Sequence, residues 1–298
     1  VPADEIPETH FATLGDDRIA YQVFGEGDVD LLYVSATGDP IELRWDWPAY
    51  SLFLRRLGTR ARVITFDRRG SGSSDNPSGQ TLASWEHWAD DARAVLDAVG
   101  SDGAVLFGSA DGGPVVLLFA ASHPRRTRGL ILANTYAFGP EAASETAGGF
   151  VAQAWGTRAL VEFTMPDASQ DPAFVQWFGR SNRLSFAPRD ASAMIEREQV
   201  DLRHVLPAVR APALVLHREH YNAIPLDDGR DLADHIAGAR FAVVPGRDGL
   251  LFTDPSAEAL QHIEDFLGGL HGPTETDRAL AAILFTDIVG STKRGGTR

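Results

Sequence analysis

The feature that most constrains this chain is a recurring pair: a short, wholly apolar run followed by a longer segment of helical period. "ARVITFD" at 61–67, "GAVLFG" at 103–108, "TRGLILAN" at 127–134, "APALVLHRE" at 211–219 and "ARFAVVPG" at 239–246 are such runs. Strands this uniformly apolar have no polar face to turn to water. They predict a mostly parallel sheet covered by helices on both faces. "GPVVLLFAASHP" and "SAEALQHIEDFLGGL" at 256–270 read as two of the covering helices. Upstream, "HFATLGDDRIAYQVFGEGDVDLLYVSA" alternates apolar and polar residues. It predicts two strands joined at Gly15-Asp16-Asp17 and a third at Leu31–Ser35, so the sheet has eight strands and the leading hairpin gives it an antiparallel edge.

Between the runs near 130 and 214 lie about 75 residues of different character, far more than a bare connection needs. They carry Phe150, Trp155, Phe163, Phe174, Trp177, Phe178 and Phe186. This stretch, about 136–207, is expected to be a helical cap inserted over the C-terminal edge of the sheet, with the aromatics as its core.

The 298 residues hold 27 Lys and Arg against 41 Asp and Glu, a net charge of −14. Nucleic-acid surfaces need clustered basic residues, so that class of partner is excluded. No apolar run approaches the length of a membrane span. The chain has no cysteine, hence no disulfide and no thiolate metal site. A cytoplasmic location is the expectation.

The stretch "VLFGSADGG" from Val105 is a strand entering a glycine turn. Such a turn carries a serine nucleophile in the frame G-x-S-x-G. Here the frame is Gly108-Ser109-Ala110-Asp111-Gly112, with alanine at the tip. Shifting the frame to Ser109 fails, because its glycine places would be Phe107 and Asp111.

On this turn, on "FDRRGSGSSD", on "PALVLHRE" with "IPLDDGRDLADHI", and on "GARFAVVPG", residues 8–270 resemble the α/β-hydrolase family. The resemblance implies an α/β-hydrolase fold over residues 1–270, with a serine, an acid and a histidine in that chain order. It places the acid at Tyr221, in "LHREHYNAIP", and the histidine at Gly249, in "PGRDGLLF". All three triad places, Ala110, Tyr221 and Gly249, therefore lack the side chain that acyl transfer uses. The loop lending an oxyanion donor falls at Ala36-Thr37-Gly38. Thr37, Gly38, Ser109, Ala110, Asp111, Tyr221 and Asn222 are expected to line a pocket for a small lipid, ester or acid.

After a polar linker at 271–278, "AAILFTDIVGST" at 281–292 resembles the first strand of class III nucleotidyl cyclase domains. Residues 279–298 would then be the truncated start of such a domain. The resemblance implies that Asp287 and the Ile288 carbonyl hold Mg or Mn in an intact cyclase. This chain alone is too short to cyclise a nucleotide and is expected to need no cofactor. Three functions stay open: a catalytically inactive regulatory or ligand-sensing domain ahead of a class III adenylate cyclase in cAMP signalling, an active esterase or lipase with a non-standard site, and a dimerisation scaffold. The first and third imply a homodimer.

Overall fold

The computed structural model describes residues 5–76, 83–139, 150–151, 153–187, 190, 200–254 and 256–270. The linker at 271–278 and the cyclase-like segment, with Asp287 and Ile288, lie outside the described residues.

Eight strands form one sheet in the order β1-β2-β4-β3-β5-β6-β7-β8. They are β1 (Thr9–Leu14), β2 (Asp17–Phe24), β3 (Asp30–Val34), β4 (Arg62–Phe66), β5 (Ala104–Ser109), β6 (Thr127–Ala133), β7 (Ala213–Arg218) and β8 (Arg240–Val244). Only β2 runs against its neighbours: it pairs antiparallel with β1 and with β4, and β3 to β8 pair in parallel. The C-terminal ends of those six strands thus share one edge, where ligands of such sheets collect.

Successive strand residues point to opposite faces, and the core divides accordingly. Leu32, Ile64, Leu106, Leu132 and Val215 face one side with Leu232 and Ile236. Leu31, Val63, Val105, Ile131 and Leu214 face the other with Phe53, Leu57, Ile263 and Phe266. The helices that supply these partners are α1 (Pro48–Gly58), α2 (Trp85–Ala98), α3 (Gly112–Ser122), and, past the cap, α6 (Leu226–His235) and α7 (Glu258–Gly269). Helix α3 is apolar on nearly every face, as a helix enclosed by sheet and neighbour must be. It packs on β5 and on α2.

The intervening region holds α4 (Arg158–Thr164) and α5 (Pro172–Ser185). Its aromatics do three different things. Trp155 and Phe186 make a small core with Val151, Ala154 and Leu160. Phe174, Trp177 and Phe178 join the sheet-side core, where Tyr50 stacks on Phe252 at 4.1 Å between ring centroids. Phe150 and Phe163 are a correction to the expected cap core: they meet edge to face at 5.7 Å on the surface, 43% and 48% exposed.

One buried group makes the fold acid-sensitive. His217 on β7 is fully buried; its Nδ1–H donates to the Arg218 carbonyl at 2.9 Å, and its Nε2 has no partner. A Cβ on Gly229 of α6 would lie 2.7 Å from its Cδ2, so the helix backbone lies directly on the ring. Burial lowers the imidazole's pKa below its ordinary 6.5. The unfolded chain therefore takes up a proton that the folded chain refuses. His217's contribution is complete above pH 6.5 and is lost as pH falls below it. Urea melts at pH 7.5 and 5.5 should show a smaller acid loss for His217→Leu than for the unaltered chain; equal losses would refute this.

Candidate functional site

The strand–turn–helix at the end of β5 has the shape of a nucleophile elbow. Ala110 sits at its tip with φ 49°, in the left-handed region that costs a residue with a Cβ about 1–2 kcal/mol. The Ala133 carbonyl accepts the Ala110 N–H at 3.0 Å, and the Ala110 carbonyl accepts the Gly113 N–H at 3.0 Å. The following glycine lets α3 start hard against β3: a Cβ on Gly112 would overlap the Val34 carbonyl oxygen. The strained turn is thus fully built, but its tip presents a methyl group.

The two other positions expected for a triad, 221 and 249, meet each other. Tyr221 is buried and packs with Tyr136, Ile224 and Ala110. A Cβ added to Gly249 would lie 2.7 Å from both Cζ and the hydroxyl oxygen of Tyr221. The tyrosine ring therefore occupies the space into which a histidine at 249 would project. Asn134, at φ 47°, fixes this arrangement from beneath. Its Nδ2 donates to the Gly249 carbonyl at 2.7 Å, and its Oδ1 accepts the Arg218 N–H at 2.7 Å.

In the loop after β3 the Thr37 amide is already engaged. The Thr37 N–H donates to Asp111 Oδ1 at 2.7 Å, and the Thr37 hydroxyl donates to Asp111 Oδ2. Arg68, at the end of β4, completes the cluster. Its Nη2 donates to Asp111 Oδ2 at 2.9 Å and to Thr37 Oγ1 at 2.7 Å, and its guanidinium lies 4.8 Å over the Trp88 ring. Both charged side chains are 6% exposed. In an acyl-transfer site the loop amide must be free when negative charge develops on the substrate oxygen. Here an internal carboxylate already holds it.

The expected pocket residues therefore separate. Thr37 and Asp111 are spent on each other and on Arg68. Gly38 is closed over by α5, whose Ser181 Oγ and Asn182 Nδ2 donate to its carbonyl at 3.0 and 3.1 Å. Ser109 is buried within β5, paired in register with Ala133. Ala110 and Tyr221 are together, whereas Asn222 is exposed and does not join them. His220 is also exposed, with Glu219 as its neighbour at 3.7 Å. Asp248 is tied down elsewhere, accepting the Asp167 and Ala168 N–H groups at 2.8 and 3.1 Å. A relay of Ser109, His220 and Asp248 is not assembled.

Sequence reasoning missed Arg68, Asn134 and Arg218, each at the C-terminal end of a strand. The signal available was a charged or amide residue directly after an apolar run. Among the described residues, no group of three or more His, Cys, Asp or Glu is placed to hold a metal ion, and no helix is long and apolar enough to cross a membrane.

Comparison with known proteins agrees with this architecture. Residues 44–223 match the family model described as alpha/beta hydrolase fold. The bifunctional esterase/perhydrolase DCH of Acinetobacter calcoaceticus is 24% identical over 250 residues, 76% of this chain and 88% of that protein. A 2-hydroxymuconate semialdehyde hydrolase of Pseudomonas sp. (strain CF600) is 30% identical over 207 residues, 66% of this chain and 73% of that enzyme. The crystal structure of the enol-lactonase from Burkholderia xenovorans LB400 superposes with a TM-score of 0.72 at 23% identity, covering 87% of this chain and all of the other.

Proposed function

Because this chain belongs to the alpha/beta hydrolase fold family but has Ala110, Tyr221 and Gly249 where that fold's triad would stand, we propose that it is a non-hydrolytic regulatory domain. The observation that carries this reading is the closed elbow: a methyl at the tip, a tyrosine ring in the histidine's space, and Asp111 on the loop amide. Its output, on this proposal, is the state of the class III adenylate cyclase domain begun by residues 279–298, in a cytoplasmic dimer. The tail's resemblance supports that part. A small lipid, ester or acid bound without cleavage would be the input. A two-state output needs such a ligand to bind the two states with different affinity.

The activities of the relatives favour the second reading, an active esterase-type hydrolase with a rearranged site. One experiment separates the two. Purified full chain is assayed on p-nitrophenyl esters of several acyl lengths, beside Ser109→Ala. The proposal expects both proteins to hydrolyse at the buffer rate. Saturable turnover that Ser109→Ala abolishes would overturn it in favour of the hydrolase.

A further inference from the structure

Three consecutive residues of the loop after β8 each hold the cap. Arg247 Nε donates to Asp167 Oδ1 at 2.9 Å. Asp248 receives the Asp167 and Ala168 N–H groups described above. The Gly249 N–H donates to the Thr164 carbonyl at 3.0 Å. The cap residues so held run from the last residue of α4 into a short 3-10 turn, Ala168–Gln170. The same loop also faces the elbow. The Gly249 carbonyl accepts from Asn134 Nδ2 at 2.7 Å, and the Tyr221 ring stands against the Gly249 Cα, where a Cβ would overlap it. Tyr221 in turn packs on Ala110.

Both backbone groups of Gly249 are therefore committed, one to the cap and one to the floor of the site, with a buried ring pressed between. In a close-packed interior such a peptide does not shift alone. Displacing the ring displaces the Gly249 peptide, and with it the groups on which Thr164, Asp167 and Ala168 rest. The loop has room to move. A cavity of about 400 Å³ flanks it, with Ala168, Pro245 and Gly246 among the walls. It also has a pivot: Gly246 stands at φ 113°, a conformation that glycine adopts without strain.

We propose that Arg247, Asp248 and Gly249 form a strap that couples the Tyr221 ring to the cap segment 164–168, so that whatever displaces the ring releases that segment. The coupling is physical, because one element is biased from both of its sides. This deepens the regulatory reading by giving a bound ligand a route from the elbow to the cap. It is tested with neither ligand nor ester, so its failure and the failure of that reading are distinguishable.

The test is amide hydrogen exchange, followed by NMR on the full chain, with the amides of α2 reporting global opening. Asp248→Ala removes the acceptor itself and should speed exchange at Asp167 and Ala168 by about tenfold. Tyr221→Leu touches neither amide and should speed both by a similar factor of about ten, and by more than it speeds α2. Gly249→Ala pushes on the ring from the opposite side and should do the same, so it decides the matter if Tyr221→Leu fails to fold. Asp171→Ala is the control within the cap: it frees the Ala173 N–H at the start of α5 and should leave Asp167 and Ala168 unchanged. Unchanged exchange at the two amides in Tyr221→Leu and Gly249→Ala would overturn the proposal. So would a rise there no larger than in α2, or an equal rise in Asp171→Ala.

Discussion

Placing a histidine at position 249 will destabilise the protein by about 3 kcal/mol, because the space it needs is already filled. A Cβ there meets Tyr221 Cζ and hydroxyl oxygen at 2.7 Å and Cε2 at 3.0 Å. The ring has little freedom to move aside, since it is itself buried against Tyr136, Ile224 and Ala110. Tyr221→Ala alone should cost about 3–5 kcal/mol through the cavity it leaves. The double variant Gly249→His, Tyr221→Ala should cost less than the two single changes added, by about 1–3 kcal/mol, since each then relieves the other. Urea denaturation of the four proteins measures this coupling directly. Strict additivity would mean that the tyrosine does not occupy the histidine's space.

On the proposed reading, this coupling also accounts for a fold that persists without a triad. Ala110 retains the strained turn at φ 49° because the close approach of α3 to β3 still demands it. Tyr221 and Gly249 form a size-matched pair, large against absent. The strands themselves were legible because each is a short, wholly apolar run, and strand position was the strongest signal in the chain. All eight strands and the parallel core follow from the same signal. The leading hairpin supplies the expected antiparallel edge, with β2 pairing antiparallel to both β1 and β4. What could not be read was how side chains spend themselves. Thr37 and Asp111 looked like pocket lining because both are polar and near the elbow. Their mutual bond depends on a separation of 74 positions and on Arg68 arriving from a third strand. Phe150 and Phe163 looked like core because they are aromatic, and no periodicity distinguishes a surface pair from a buried one.

The Arg68–Asp111 pair gives the other large effect expected here. Asp111→Leu should destabilise the protein by about 3–5 kcal/mol, because it strands a buried guanidinium whose Nη1 already lacks a partner. The loss is not the strength of one hydrogen bond. It is the uncompensated desolvation of Arg68, 5% exposed beneath the loops of the site. Removing both charges should therefore recover most of it: Arg68→Met with Asp111→Leu is expected within about 1–2 kcal/mol of the unaltered chain, with Met keeping a stem over Trp88. The same double change frees the Thr37 N–H. Serine at 110, aspartate at 221 and histidine at 249 would still face an occupied oxyanion donor, and a missing donor of this kind costs about 10²–10³ in rate. Those three substitutions combined with Arg68→Met and Asp111→Leu should exceed the same three alone by that factor on p-nitrophenyl butyrate. If the triad substitutions alone hydrolyse the ester equally fast, Asp111 does not block the donor. If Asp111→Leu melts with the unaltered chain, the pair does not hold these loops together.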